Sequence, residues 1–365
     1  MIWPFARSGA LDARAPVSLA LQGGGAHGAF TWGVLDALLE HGLQRVVALS
    51  GASAGAVNAL LLAHGLLEGG CDGARETLAL FWQAQGQALP WDAWGLVGED
   101  GQSLSPLAKW FMRWAHMVSP AQANPMRIDP LRDALAHCVD FERLRQQHEI
   151  RLHVAATHAN TGRLRVFTNH DLSLDAALAS ACLPSLQRAV VIDGEPYWDG
   201  GFSANPPLFP LLQQPLSRDL LLVMLSPWHH GATPDSVETI RERTMTITFN
   251  AAFLHEMRLI AEASELARRA WWRGPLERRL RSARWHVIDA HEHVVDLSSD
   301  SKIMAYQPLL QRLRDAGRER AQAWLTTDGA QLGQRSSIDL PALFGSHAAP
   351  RMQPRRNRRG ADPQR

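Results

Sequence analysis

Short apolar runs that stop at glycine-rich turns alternate with amphipathic stretches in the first part of the chain. Residues 17–22 (VSLALQ) end at three glycines, and residues 28–41 follow with their large apolar side chains at helical spacing. Residues 45–50 (RVVALS) precede a second helical stretch at 53–64. A strand, a glycine turn and a helix that repeat in this way predict a parallel sheet with crossover helices.

The alternation of apolar runs and helical patterns continues further along the chain. Five more apolar runs predict strands, at residues 151–157, 163–168, 189–192, 220–225 and 285–289. Long helical patterns cover about 236–272 and 303–327, and residues 74–147 read as a tryptophan-rich helical insertion. The predicted fold class is therefore α/β, with three α/β/α layers, a central mostly parallel sheet and a helical insertion.

Composition narrows the classes of function. The 365 residues carry a formal net charge of only +1, which argues against a dedicated nucleic-acid-binding protein. Cys71, Cys138 and Cys182 form neither a zinc pattern nor a disulfide framework, so a reducing compartment is expected. We find no secretion signal and no uncharged apolar run of about 18 residues. The expected location is the cytoplasm, with peripheral contact at the inner face of the membrane as a hypothesis.

The first motif that carries chemistry is Gly51-Ala52-Ser53-Ala54-Gly55, between a predicted strand and a predicted helix. A G-x-S-x-G sequence at a sharp strand-to-helix turn exposes its serine at the carboxyl edge of a sheet, and Gly51 and Gly55 relieve the crowding there. The helix N-terminus behind Ser53 favours developing negative charge. The motif predicts a nucleophilic serine, and a plain glycine turn is the alternative.

A glycine loop, GGGAHG at residues 23–28, follows the first predicted strand. It fits G-x-G-x-x-G, but a dinucleotide site needs an acidic residue near the end of the next strand, where this chain has VVALSGASAG. Consecutive glycine N–H groups can instead bind an oxyanion. A donor loop one strand away from Ser53 favours acyl transfer or hydrolysis over a dinucleotide site or a plain tight turn.

A third motif, YWDGG at residues 197–201, places Asp199 on a tight turn with Gly200 and Gly201 behind it. D-G-G is a common turn, and by itself it indicates little about function. Beside a serine elbow and a donor loop, however, it supplies a carboxylate that can act as a base, because a serine hydroxyl is a poor nucleophile without one.

Taken together, these motifs resemble the patatin-like phospholipase family over roughly residues 16–227, with further likeness in LSSDSK and the helix after it. The stretches LALQGGGAHGAF, LSGASAGAVNAL, ALASACLPSL and YWDGGFSANPPL stand in the family's order. The resemblance implies a patatin-like fold, Ser53 as the nucleophile and Asp199 as the base. It also implies an oxyanion hole built from the loop glycines, here Gly23, Gly24, Gly25 and Gly28. The family usually has Arg or Lys where His27 stands, a departure that does not affect the backbone donors.

The activity implied by the resemblance is hydrolysis of carboxylic esters of lipids through a covalent acyl-enzyme, without a cofactor or a metal. Asp199 would accept the Ser53 proton directly, and glycine amides would hold the oxyanion. A free aspartate with a pKa of about 3.9 is a weak base, so burial that raises this pKa would help. Phospholipids, lysophospholipids, glycerides and polyesters all share this chemistry, and the oligomeric state is open.

Two other functions stay open. An α/β-hydrolase with a Ser-Asp-His triad also uses G-x-S-x-G. Its histidine would come from the set His229, His230, His286, His291 and His293. A catalytically silent lipid-binding protein would keep the fold and fail to react with active-site serine probes.

Two segments carry weaker signals. His291, His293 and Asp296 (HEHVVD) lack a clear fourth ligand, so we do not predict a metal site there. Residues 267–285 interleave arginines with tryptophans. Peripheral membrane contact through this segment is a hypothesis, and a solvated helix pair is the alternative.

The predicted organisation along the chain has four parts. Residues 1–15 form a leader, and residues 16–300 form the catalytic domain with the helical insertion at 74–147. Residues 301–345 form a C-terminal helical region. Residues 346–365 are rich in proline and arginine and poor in apolar residues, which predicts a disordered basic tail.

Overall fold

The described part of the chain contains eight strands in one sheet. A computed structural model describes residues 15–345, apart from 44, 116, 125–127, 214, 227–232, 270, 272–273 and 296. The strands are β1 (Val17–Leu21), β2 (Val46–Ala52), β3 (Arg151–His158), β4 (Leu164–Thr168), β5 (Val190–Ile192), β6 (Glu195–Asp199), β7 (Asp219–Met224) and β8 (Arg284–Asp289). The predicted leader up to residue 14, the predicted tail from 346, His229, His230 and Asp296 lie outside the described residues.

Helices surround this sheet. They are α1 (Gly28–Glu40), α2 (Ala54–Gln87), α3 (Pro106–Ala115), α4 (Pro120–Ala123), α5 (Pro130–Cys138), α6 (Phe141–Gln146), α7 (Leu174–Ser180), α8 (Phe209–Gln213), α9 (Val237–Arg269), α10 (Pro275–Ser282), α11 (His291–Val294), α12 (Gln307–Thr327) and α13 (Leu340–Phe344). Short 3₁₀ turns lie at Gly25–His27, Gly200–Phe202, Ser299–Ile303 and Gly329–Gln331. None of the helices in the described ranges is long and apolar enough to cross a bilayer.

The sheet is mostly parallel. Its strands are hydrogen-bonded in the order β5-β6-β3-β2-β1-β7-β8, and β4 also pairs with β3. The pairs β1–β2, β1–β7, β2–β3 and β7–β8 are parallel, whereas β4, β5 and β6 join through antiparallel pairs. The predicted mostly parallel sheet is therefore confirmed, but β6 was missed, because EPYWD carries a proline and only a weak alternation.

Both faces of the sheet are covered, as the apolar run of β1 requires, since a parallel strand buried on both sides has no polar face. Val17, Leu19 and Leu21 point into a core shared with α1, α2 and α12. Ala20 points into a second core, which includes Leu211 of α8 and apolar residues of α9, α10 and α13. Helices on both faces confirm the predicted three-layer α/β/α fold.

The helix predicted at 53–64 is longer in the structure. α2 consists of two helical segments joined by a kink at Gly69 and Gly70, whose backbone angles are not helical, and the second segment ends at Gln87. The predicted insertion boundary at residue 74 thus falls inside this helix. Glycines interrupt the helical sequence pattern at 69–70. The second segment is helical because Leu78, Phe81 and Trp82 on it are buried in the core.

α12 packs directly on α1 through two glycines. A Cβ atom on Gly33 would lie 1.9 Å from the Arg314 carbonyl oxygen, and one on Gly317 would lie 2.1 Å from the Phe30 carbonyl oxygen. Only glycine permits such a close approach of two helix backbones. Residues from the predicted C-terminal region therefore share a core with the helix that follows the glycine loop.

A buried carboxylate links the same helices. Asp36 of α1 is ion-paired with Arg75 of α2 at 2.7 Å, with Arg314 of α12 at 3.2 Å, and with Arg318. Burial by itself would raise the pKa of Asp36, but the guanidinium groups of Arg75 and Arg318 outweigh it and lower that pKa. This cluster of ion pairs links α1, α2 and α12.

Candidate active site

The register of β3 brings Ser53 and Asp199 together. Ala155 of β3 pairs with Ala52 of β2 on one edge and with β4 on the other, whereas Ala156 pairs with Asp199 of β6 and again with β4. β6 therefore continues along the edge of β3 that β2 leaves after Ala52. Because Ser53 follows Ala52, it lies beside Asp199 although the two are far apart in sequence.

The backbone at Ser53 adopts the strained turn that the motif predicts. Ser53 has φ 53° and ψ −129° immediately before α2, a positive φ that costs a non-glycine residue about 1–3 kcal/mol. Its N–H donates to the backbone oxygen of Ser180 at 3.1 Å and to the Ser180 hydroxyl at 3.0 Å. A Cβ on Gly55 would lie 2.0 Å from the Leu21 carbonyl oxygen, and one on Gly51 would meet the first turn of α2 at 2.5 Å. The two flanking glycines are thus sterically required.

Asp199 is a buried carboxylate with one free oxygen. It has no exposed surface, and its Oδ1 accepts a hydrogen bond from the Gly201 N–H at 2.7 Å. Among the described residues Oδ2 has no partner at ordinary hydrogen-bond geometry, although the Ser53 hydroxyl is close enough to lower the carboxyl pKa as a donor. Burial dominates, and it raises the pKa of Asp199 to about 7. A carboxyl with this pKa is a far better base near neutral pH than an exposed aspartate.

The D-G-G turn is needed for close packing. A Cβ on Gly200 would lie 2.3 Å from the Ala155 carbonyl oxygen, and one on Gly201 would lie 2.6 Å from the Phe249 ring. Larger residues here would push Asp199 away from β3 and from the serine.

The glycines of the loop differ in whether their backbone amides are already hydrogen-bonded. The Gly23 N–H donates to Asn205 Oδ1 at 2.6 Å, and the Gly28 N–H bonds to backbone oxygens of the preceding 3₁₀ turn. Gly23 and Gly28 are therefore not free donors. Within the part of the chain that the structure describes, the amides of Gly24 and Gly25 have no acceptor. Gly25 has φ +59°, and a Cβ there would lie 2.1 Å from the Lys302 carbonyl oxygen.

Two buried amides that the sequence did not single out hold this loop. Gln22 Oε1 accepts hydrogen bonds from Leu225 N and Ser226 N at 2.7 and 2.8 Å. Its Nε2 donates to Asn250 Oδ1 at 2.9 Å. Asn205 occupies the Gly23 amide. Gln22 lies in the stretch LALQGGG and Asn205 in FSANPPL. The only sequence signal that marks either residue is a polar side chain close to a buried strand.

His27, the departure from the family pattern, is a neutral buried histidine. Its side chain is 2% exposed, and Nε2 lies 2.7 Å from the Ser301 hydroxyl. Burial and, less strongly, Lys302 lower the pKa of His27 to about 3. His27 therefore attaches the glycine loop to the 3₁₀ turn Ser299–Ile303 and carries no charge at neutral pH.

Ser53, Asp199 and the loop glycines face one cavity of about 770 Å³. Much of its wall is apolar, with contributions from Leu104, Met112, Leu183, Leu186, Met245 and Phe249. Charged side chains also line it, namely Lys109, Arg113, Arg241, Glu242, Asp300 and Lys302. The size and the apolar wall suit a ligand with a hydrocarbon portion.

The histidines of the alternative triad do not reach this cavity where they are described. His286 is fully buried near the amino end of β8, between Asp219 Oδ1 at 3.1 Å and the Ser337 hydroxyl at 3.0 Å. The cavity walls contain no histidine among the described residues. His229 and His230 lie outside those residues. In the described ranges no three His, Cys, Asp or Glu side chains are grouped to hold a metal ion, and Asp296 lies outside them.

Comparison with known proteins identifies the family. The model of the patatin-like phospholipase family matches residues 19–212, more than half of the chain. Curated proteins give no significant match. VipD from Legionella pneumophila is similar in structure, with 16% identity and a TM-score of 0.40 over 86% of this chain and 67% of VipD. The type III effector protein ExoU has 15% identity and a TM-score of 0.28 over 83% of this chain, which spans about half (53%) of ExoU. The stretch matched by the family model contains Ser53, Asp199 and the glycine loop, and the chain belongs to the patatin-like phospholipase family.

Proposed function

We propose that this protein is a lipid acyl hydrolase that cleaves carboxylic esters through a Ser53–Asp199 dyad. Membership of the patatin-like phospholipase family supports lipid acyl hydrolysis in general. The observation that carries the dyad is the buried Asp199 carboxyl beside Ser53, with a pKa near 7 and an unpaired Oδ2. The apolar wall of the cavity supports a lipid as the source of the acyl group.

The proposed first half-reaction transfers the acyl group to the enzyme. Asp199 Oδ2 accepts the Ser53 proton while Ser53 Oγ forms a bond to the ester carbonyl carbon. The resulting oxyanion accepts hydrogen bonds from the Gly24 and Gly25 amides. The carbon–oxygen bond to the alcohol then breaks, and the departing oxygen takes the proton back from Asp199.

The second half-reaction regenerates the enzyme. Asp199 accepts a proton from water, whose oxygen attacks the acyl carbon. The bond between that carbon and Ser53 Oγ breaks, and the serine recovers its proton from Asp199. Asp199 needs no third residue to fix a tautomer, because the Gly201 N–H in the tight turn holds Oδ1 and leaves Oδ2 to take the proton.

Two substitutions test the proposal together. We expect Ser53→Ala to abolish ester hydrolysis and labelling by a fluorophosphonate probe, and Asp199→Asn to lower turnover by several orders of magnitude, since the amide does not take the proton. Hydrolysis should be measured over lipid esters of varied head group and chain length. Ser337→Ala, at a serine that contacts the buried His286, is the matched control and should keep full labelling.

The alternatives give different results in the same assays. Alanine at His229, His230, His286, His291 or His293 should each leave most activity. A folded histidine variant as inactive as Ser53→Ala would replace the dyad by an α/β-hydrolase triad. A parent protein that no fluorophosphonate labels would instead be a lipid-binding protein without hydrolase activity.

A further inference from the structure

α3 carries its apolar stripe on the solvent side. Leu107, Trp110, Phe111 and Trp114 have the spacing i, i+3, i+4 and i+7, so they form one face of the helix. Each is between 47 and 62% exposed. In a soluble domain such a stripe normally packs against the core, and a contiguous exposed one marks an interaction surface.

The opposite side of α3 belongs to the wall of the active site. At 100° per residue, Lys109, Met112 and Arg113 point away from the stripe, and all three line the cavity that contains Ser53. Ala108 is buried beneath the helix. α3 therefore separates the cavity from the exterior. Lys109, Met112 and Arg113 face the cavity, and the exposed aromatic rings lie on the opposite side of the helix.

The first turns of α9 contribute a second exposed apolar patch at the same cavity. Val237 is 77% exposed and Met245 is 49% exposed, and both line the cavity. Ile240 between them is 45% exposed. Because exposed residues line the cavity here, it opens to the outside between α9 and α3. Large apolar side chains thus flank the opening from both helices.

We propose that α3 and the first turns of α9 dock the protein on a phospholipid bilayer, with the cavity opening turned toward the lipid. Trp110 and Trp114 carry the ring type that favours the headgroup level of a bilayer, and Phe111 supplies apolar area between them. Apart from Asp199, the charged side chains of the described residues that line the cavity are four cations, Lys109, Arg113, Arg241 and Lys302, and two carboxylates, Glu242 and Asp300. Asp300 pairs with Lys109 at 3.8 Å, and positive charge is in excess. This charge favours anionic headgroups.

Docking rests on an apolar surface and is independent of the proposed dyad, so binding should be measured without turnover. The test uses Ser53→Ala protein and sedimentation with sucrose-loaded vesicles of phosphatidylcholine containing phosphatidylglycerol. We expect the further changes Trp110→Ser, Phe111→Ser and Trp114→Ser to weaken partitioning at least 30-fold together (about 2 kcal/mol), and Trp110→Ser alone to weaken it several-fold. The single variant keeps the test valid if the triple variant does not fold.

A matched control separates this surface from exposed apolar residues in general. Leu259 of α9 is 57% exposed, and it lies 22 residues beyond Val237, about 33 Å along the helix. Leu259→Ser should leave vesicle binding unchanged. Unchanged binding by both Trp110→Ser and the triple variant would overturn the proposal, as would an equal loss with Leu259→Ser.

The remaining outcomes distinguish other occupants and the function itself. One outcome is that the parent protein forms a dimer, seen by light scattering, that is absent in the triple variant. If the triple variant also keeps its vesicle binding, the stripe is an interface with a second copy of the chain, and the proposal is overturned. With Ser53 intact, the triple variant should hydrolyse a soluble short-chain ester as fast as the parent. If the parent itself is inactive on that ester, the proposed function fails while the docking result stands.

Discussion

For the proposed dyad, the burial of Asp199 and its unpaired oxygen predict that activity depends on pH near neutrality. A base must be ionised to act, so the pKa of about 7 predicts that kcat/KM falls about tenfold per pH unit below pH 7. The measurement is a pH profile of kcat/KM on an uncharged soluble ester. A fall in kcat/KM centred near pH 4, close to the pKa of an exposed aspartate, would contradict the raised pKa of Asp199.

The same shift predicts that the site reduces stability. The folded-state pKa lies above the ordinary value of 3.8, so the folded protein binds the Asp199 proton more tightly than the unfolded chain does. Its stabilising contribution is present below about pH 4 and is lost as pH rises to about 7. We therefore expect Asp199→Asn, which keeps the Gly201 hydrogen bond, to raise the free energy of unfolding by about 1–4 kcal/mol at pH 8 and to change it little near pH 4. Urea unfolding at the two pH values checks this, and a destabilised variant at pH 8 would refute it.

Gly24 and Gly25 offer a matched pair for the proposed oxyanion hole. Gly25→Ala combines a positive φ with a contact of 2.1 Å to the Lys302 backbone, so the loop must move. Displacing a donor typically lowers kcat about 10²–10³-fold. Gly24→Ala meets no backbone atom among its three nearest neighbours, which are Leu225 Cδ1 at 3.0 Å, Leu225 Cβ at 3.4 Å and His27 Cβ at 3.6 Å, and should stay within about tenfold of the parent. Equal kcat values for Gly25→Ala and the parent would show that the loop is only a turn.

Sequence patterns pointed to Ser53, Asp199 and the glycine loop because each lies in a short motif with its own turn chemistry, and in the structure Ser53, Asp199 and the first three loop glycines line one cavity. The patterns did not reveal which amides of the loop are free. The Gly23 amide is occupied by Asn205, 182 residues further along the chain. A contact of that separation has no local periodicity and no turn signature, so it becomes visible only once the strands are in place.

Among the helices, the α1–α12 contact is the most sensitive to added volume. Gly317→Ala would place a Cβ 2.1 Å from the Phe30 carbonyl oxygen, and the two helices would have to separate. We expect a loss of about 1–3 kcal/mol in the free energy of unfolding, measured by urea titration. Gly69→Ala is the control, because nothing lies within 4 Å of a Cβ there and its φ is −149°. Equal free energies of unfolding for the two variants would mean that the contact between α1 and α12 tolerates an added methyl group.

Strands were predictable to within one or two residues where apolar runs are continuous, as in β1 and β7, whereas the predicted bounds of the long helices α9 and α12 differ from the structure by up to four residues. Prediction failed where tertiary contacts override the local pattern. β6 forms because β3 offers it an edge, and a second helical segment of α2 follows the kink at Gly69 and Gly70 because that segment packs on the core.

On the whole-molecule scale, the segment 267–285 remains a predicted membrane contact, distinct from α3. Replacing Arg268, Arg269 and Arg273 with glutamine should weaken liposome binding, most visibly at low salt, because exposed charges are screened within about 10 Å at 0.1 M. Arg273 lies outside the described residues. Arg268 forms an ion pair with Glu265 at 2.9 Å, which weakens the attraction of Arg268 to anionic lipid. Binding measured from 20 to 500 mM salt checks this, and equal binding by parent and variant would refute it.

The pairing of Ala155 with Ala52, and of Ala156 with Asp199, means that β3 fixes the position of Ser53 relative to Asp199. Loops outside this pairing, such as residues 88–105 between α2 and α3, can change in length without moving β2, β3 or β6. Parts of the cavity wall that come from such loops, for example Leu104, can therefore vary while Ser53 and Asp199 keep their positions. Deleting one residue within β3 would do the reverse, since it would slide one partner past the other and turn alternate side chains to the wrong face.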